Sequence, residues 1–101
     1  MIWHIVRFDF SSTSDDTRQS IEEQLAGLEG IEEVAWLRVG RDLSDPDVTG
    51  LITVFRTEED LDAYRNHPDH VPVAQAIRDA GLATSRVDLR TPDDVADLPP
   101  R

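Results

Sequence analysis

Along residues 2–10, apolar and polar side chains alternate among β-branched and aromatic residues. Ile2, His4, Val6, Phe8 and Phe10 fall on one face and Trp3, Ile5, Arg7 and Asp9 on the other, which is the period of a strand. A hydroxyl and carboxylate cluster over 11–16 then suits a helix N-terminus. Ile21, Leu25 and Leu28 follow at helical spacing until Gly30 supplies a stop. Residues 34–40 and 51–55 are two further apolar runs read as strands, with polar, proline-containing 41–50 as the connection between them. Thr57-Glu58-Glu59-Asp60 resembles a capping box with Asp in the place of Glu, and Leu61 and Tyr64 share the helical face that follows. Pro68 disfavours helix at His67 and predicts the first residue of a new helix, which Val73, Ala74 and Ile77 carry to Gly81. Alternation returns over 82–89, with Leu82, Thr84, Arg86 and Asp88 on one side of a last strand.

The order β-α-β-β-α-α-β is that of the ferredoxin-like split βαβ unit, an α+β fold whose antiparallel sheet carries its helices on one face. Trp3, Ile5, Leu37, Val39, Ile52, Val54 and Val87 make the sheet apolar on both sides, and the helices can cover only one. A second copy of the sheet is the simplest cover, so the expected state is a homodimeric α/β barrel. Residues 1–90 form the expected domain and 91–101 a polar, proline-bearing tail.

At 101 residues the chain is sized for one domain. Its formal net charge of −11, with acids spread along the sequence, argues against nucleic acid as a partner. There is no cysteine, no signal-peptide pattern and no apolar run of membrane-span length. These features predict a soluble, cytoplasmic protein. No Ser-centred elbow, phosphate-binding glycine loop or nucleotide fingerprint supports a hydrolase, kinase or dehydrogenase.

The candidate chemistry lies in Tyr64-Arg65-Asn66-His67-Pro68-Asp69-His70, which holds two of the three histidines and the only tyrosine. An imidazole titrating near neutrality beside a phenol has the parts of an acid/base pair. If Pro68 opens the helix, His70 is its third residue and the positive end of the helix dipole keeps the ring neutral, as a base should be. His67 has a competing structural task as a cap, and Tyr64 one as a core aromatic. His4 projects among apolar strand residues and needs a partner, whether a carbonyl of the helix junction, Tyr64 or a ligand. His67, Asp69 and His70 are too sparse a donor set to read as a metal site.

Three ordered segments resemble the stress-responsive α/β-barrel (Dabb) domain family: the opening strand with its histidine, the strand-end Val39-Gly40-Arg41-Asp42-Leu43, and Tyr64-x-x-His67-Pro68-x-His70. The resemblance implies a dimeric ferredoxin-like barrel with no obligatory cofactor. It further implies that Tyr64 and His70 match the acid/base pair of plant polyketide cyclases, with His4 and His67 matching other polar residues of a small-molecule pocket. The expected function is binding of a small carbonyl-bearing or aromatic molecule, with cyclase- or isomerase-like turnover. The alternatives are a non-catalytic, stress-protective binding module and a cofactor-free monooxygenase of the same architecture.

Overall fold

The computed structural model describes residues 1–100. Strand β1 (Ile2–Asp9) leads into helix α1 (Asp15–Gly27), which tightens into a 3-10 turn over Leu28–Gly30. Strands β2 (Trp36–Arg41) and β3 (Val48–Phe55), helices α2 (Glu58–Arg65) and α3 (Val71–Asp79), and strand β4 (Ala83–Arg90) follow. The strands form one sheet in the order β2-β3-β1-β4 with every neighbouring pair antiparallel. This is the expected ferredoxin-like α+β arrangement. No helix among the described residues is long and apolar enough to cross a membrane.

Local chemistry explains the helix starts. The Ser14 hydroxyl accepts from Thr17 N–H, with Asp15 and Asp16 in the first turn of α1, and Thr57 accepts from Asp60 N–H to open α2. Ile21, Leu25 and Leu28 turn inward to meet Ile2, Phe8, Leu51 and Phe55 of the sheet, all nearly solvent-free. Full burial of each such side chain contributes about 1.5–3 kcal/mol.

The structure departs from the periodicity in three places. Strand β3 begins at Val48 rather than Leu51, because Thr49 is buried as the partner of two α1 side chains: its hydroxyl donates to Glu22 (2.7 Å) and accepts from Arg18 (3.1 Å). The connection is thereby shortened, and Asp42 braces it by accepting from the N–H groups of Ser44 and Asp45. Strand β2 spans Trp36–Arg41 rather than residues 34–40, and its register with β3 puts Leu37 and Val39 on the helix-covered face. They pair with Thr53 and Leu51, and Leu37 is part of the core under the helices, whereas Trp36 takes the outer position opposite Val54 and Trp3.

The third departure concerns the helix junction. Pro68 opens only a single turn, in which Val71 N–H returns to the His67 carbonyl (3.1 Å). Pro72 has no N–H with which to continue that ladder, so the regular helix α3 starts at Val71 with His70 as its N-cap. His70 is therefore one turn earlier in the helix than the sequence suggests.

The outer face retains apolar side chains, with Val87 and Leu89 on β4 48% and 44% exposed. Both ends of the segment 91–100 are hydrogen-bonded to this face. Thr91 accepts from Trp3 Nε1 (2.8 Å), and the Pro100 carbonyl accepts from Arg38, whose guanidinium stacks over Trp36.

Candidate functional site

A cavity of about 460 Å³ lies between the sheet and α3, reached from the edge where β4 carries Thr84, Ser85 and Arg86. Its floor is apolar, with Val6 and Phe8 from β1, Leu25 and Leu28 from the α1 region, and Val73 and Ile77 from α3. Both His4 and His70 line it. That volume and an apolar lining with few polar groups are typical of small-molecule sites.

His4 is buried, 7% exposed, and finds its partner across the sheet. Antiparallel pairing places Asp88 directly opposite it, and His4 Nδ1 lies 2.6 Å from Asp88 Oδ1. The other carboxylate oxygen of Asp88 accepts from Arg65 (2.7 Å), so one carboxylate ties β4 to both β1 and α2. Burial holds the His4 imidazole below its ordinary 6.5, outweighing the opposite pull of Asp88, while Arg65 and Arg86 add to the depression. For Asp88 partial burial acts upward, but the hydrogen bond and charge of His4, with Arg65 and Arg86, leave the carboxyl below 3.8. At neutral pH the pair is thus a neutral imidazole whose Nδ1–H donates to a carboxylate.

His70 is arranged in parallel fashion. Its Nδ1 is 3.1 Å from the Arg65 carbonyl at the end of α2. A carbonyl can only accept, so Nδ1 carries the hydrogen and Nε2 is the basic nitrogen. Burial is the main cause holding its pKa below 6.5. The Arg65 carbonyl opposes this, and nearby His4, Arg65 and Arg78 reinforce it. Two neutral imidazoles therefore share one cavity, each with Nδ1 engaged and Nε2 left to act.

Tyr64 sits between them as a wall. Its ring centroid is 4.4 Å from that of His70, 4.9 Å from Phe55 and 6.1 Å from His4. The residue is fully buried, and its hydroxyl is sealed from solvent with no hydrogen-bond partner. Thr53, also without a partner, approaches that hydroxyl and draws its pKa down, but does not reach hydrogen-bond geometry. Burial dominates and pushes the phenol up to about 12. The sequence reading pairs Tyr64 with His70 as acid and base; in the structure its ring faces the histidines and its hydroxyl is buried without a hydrogen-bond partner.

His67 is also placed differently. It does not line the cavity, and its Nδ1 accepts from Asp69 N–H (3.0 Å), closing the turn that Pro68 begins. Asp88 and Arg65 are the residues that sequence reasoning missed. Alternation puts Asp88 on the same face as Arg86, but only the β1–β4 register sets it opposite His4.

The stress-responsive A/B barrel domain family matches residues 2–89. No curated protein matches the chain. Among solved structures, it resembles an Arabidopsis thaliana protein with TM-score 0.77 and 20% identity, covering 93% of this chain and 98% of that one. A dimeric ferredoxin-like protein of unknown function from Thermobifida fusca has TM-score 0.75 at 23% identity, with 89% and 90% covered. SnoaB, a cofactor-independent oxygenase from Streptomyces nogalater, has TM-score 0.75 at 14% identity, with 92% and 94% covered. Identities this low bear on the fold alone. The family match spans nearly the whole chain and agrees with its β2-β3-β1-β4 sheet: the chain belongs to the stress-responsive A/B barrel domain family.

Proposed function

We propose that this protein is a homodimer that binds a small carbonyl-bearing or aromatic molecule between sheet and helices and moves a proton on it, in a cyclase- or isomerase-type reaction using side chains alone. The observation that carries this reading is the pair of imidazoles in one apolar cavity, with both Nδ1 atoms engaged. Fixing the tautomer and orientation of a histidine through its second nitrogen is how a general base is prepared.

The roles divide by surroundings. Asp88 stabilises an imidazolium at His4, so His4 Nε2 takes the proton from the carbon beside the carbonyl and returns it to the oxygen formed. His70 is set among Arg65 and Arg78 and stays neutral, and its Nε2 accepts from a substrate hydroxyl or enol. The Tyr64 ring meets His4 edge-on and His70 at a tilt, and so holds the two imidazoles in place.

The test is deuterium uptake from D2O at the carbon between the carbonyls of benzoylacetone. Catalysis above the buffer rate, with a loss of at least 100-fold in both His4→Ala and His70→Ala, is expected from the usual worth of a positioned base. Uptake at the buffer rate by the wild type, or full activity in both variants, contradicts the proposal. A second reading, a binding module without turnover, draws on the His70 contact with the Arg65 carbonyl, which ties off the end of α2 whatever the cavity holds. It expects His70→Ala to lower the melting temperature while benzoylacetone still binds without exchanging.

A further inference from the structure

The charge around the cavity is opposite to that of the molecule. The chain has 21 acidic side chains against ten basic ones, all arginine, and a net charge of −11. Yet the cavity lining contains Arg65, Arg78 and Arg86 beside its two histidines, and no Asp or Glu. Three of the ten arginines thus surround one small apolar space.

These cations differ in how far they are already satisfied. Arg65 is bonded to Asp88 at 2.7 Å and lies within 3.6 Å of Asp62. Arg78 bonds only the neutral Gln75 amide oxygen, and neither Arg78 nor Arg86 has a carboxylate within ion-pair distance among the described residues. Asp88, whose carboxyl feels the charge of Arg86, is already shared between His4 and Arg65. Of the other described arginines, Arg7, Arg18, Arg41 and Arg90 pair with acids, while Arg38 and Arg56, away from the cavity, do not. In a chain with acids to spare, Arg78 and Arg86 are left over at the cavity mouth.

Their placement follows from the fold. Arg86 stands opposite Val6 in the β1–β4 register, on the helix-covered side between the His4–Asp88 and Phe8–Thr84 pairs. Its charge is felt at His4, and that of Arg78 at His70. The two guanidinium groups therefore approach the cavity from β4 and from the last turn of α3. Thr84 and Ser85 add hydroxyls on the same rim.

From this arrangement we infer that the natural ligand is an amphipathic carboxylate, an apolar or aromatic body that fills the floor with its acid group held at the rim by Arg78 and Arg86. The inference rests on the cavity being a ligand site, as proposed above, and adds the charge class of what enters it. A guanidinium suits a carboxylate through parallel N–H donors, which a hydroxyl or an amide oxygen cannot use to the same extent. An apolar floor alone would accept a neutral ring equally well. The unpaired arginines create the preference, and they repel an amine.

The experiment compares 2-naphthoate, 2-naphthamide and 2-naphthylmethylamine, which share a ring and differ in charge, by calorimetry and by the shifts of the His4 and His70 ring signals. The wild type should bind 2-naphthoate about tenfold more tightly than the amide, equivalent to about 1.4 kcal/mol. It should bind the amine most weakly, and the naphthoate preference should shrink with added salt. The double variant Arg78→Gln, Arg86→Gln should lose the preference while its affinity for 2-naphthamide stays unchanged, which also shows that the cavity is intact. Equal binding of acid and amide by the wild type overturns the inference and leaves the cavity as a neutral-ligand site, and a preference that survives in the double variant overturns the assignment of the acid group to Arg78 and Arg86. Binding of no probe at either histidine overturns the ligand-site reading together with this inference.

Discussion

Replacing Tyr64 with Phe separates a wall from a working hydroxyl. The Tyr64 oxygen is sealed from solvent and lacks a hydrogen-bond partner, as does Thr53 Oγ1 beside it. A buried polar group without a partner costs about 1–3 kcal/mol in proteins, and deleting it recovers that cost. The void left is at most the size of one water probe, about 10–15 Å³, which at about 24 cal/mol per Å³ costs about 0.3 kcal/mol. The ring contacts with Phe55 and His70 are retained by Phe. Tyr64→Phe should therefore stabilise the fold by about 1 kcal/mol, or about 4–8 °C in melting temperature for a domain of this size. Urea denaturation and thermal melting at fixed protein concentration measure it, since self-association makes the midpoint concentration-dependent. Destabilisation by 1 kcal/mol or more would refute the reasoning, because it would mean that the hydroxyl has a partner in the folded protein.

Three other outcomes are expected. Asp88→Asn removes the charge that supports His4 and Arg65, so the His4 pKa should fall further in NMR titration. Stability should drop by about 1 kcal/mol, the worth of a charge-assisted bond reduced by solvent at a partly exposed carboxylate. Because the folded-state pKa values of His4 and His70 are both depressed below 6.5, the unfolded chain binds more protons just below that pH. Stability should be fully present above pH 6.5 and decline as pH falls through the window down to the folded values; a flat urea midpoint there would contradict the depressions. Finally, for the homodimer proposed above, Ile52→Glu on the outer face should give a folded monomer by analytical ultracentrifugation, and an unchanged association state would place the interface elsewhere.

The architecture was legible because its signals are local. Alternation from Ile2, the capping residues Ser14 and Thr57, and the helical spacing of Ile21 and Leu25 each report on a few adjacent residues. The errors arose where distant contacts override local pattern. Thr49 looks like part of a polar loop until Arg18 and Glu22 of α1 are brought against it. Leu37 and Val39 could be assigned to a face only through their register with β3. Pro68 is conspicuous beside two histidines, whereas Pro72, which sets the true start of α3, reads as an ordinary residue of an apolar stretch.

The candidate site divides in the same way. Its histidines stand out by type, and His4 and His70 do meet in one cavity. His67 shares the motif but is occupied by its own turn, and the Tyr64 hydroxyl points into the protein. Asp88 could not be singled out by composition among 21 acids. Its significance depends on lying opposite a residue 84 positions away.

The central claim is that His4 and His70 present basic Nε2 atoms to one cavity, and it is tested most directly by ring-nitrogen NMR at pH 7. Both rings should be neutral with the hydrogen on Nδ1, as their contacts with Asp88 and the Arg65 carbonyl require, and a bound aromatic ligand should move both Nε2 signals together. A charged ring, an Nε2–H tautomer, or a ligand that shifts only one of the two would contradict it.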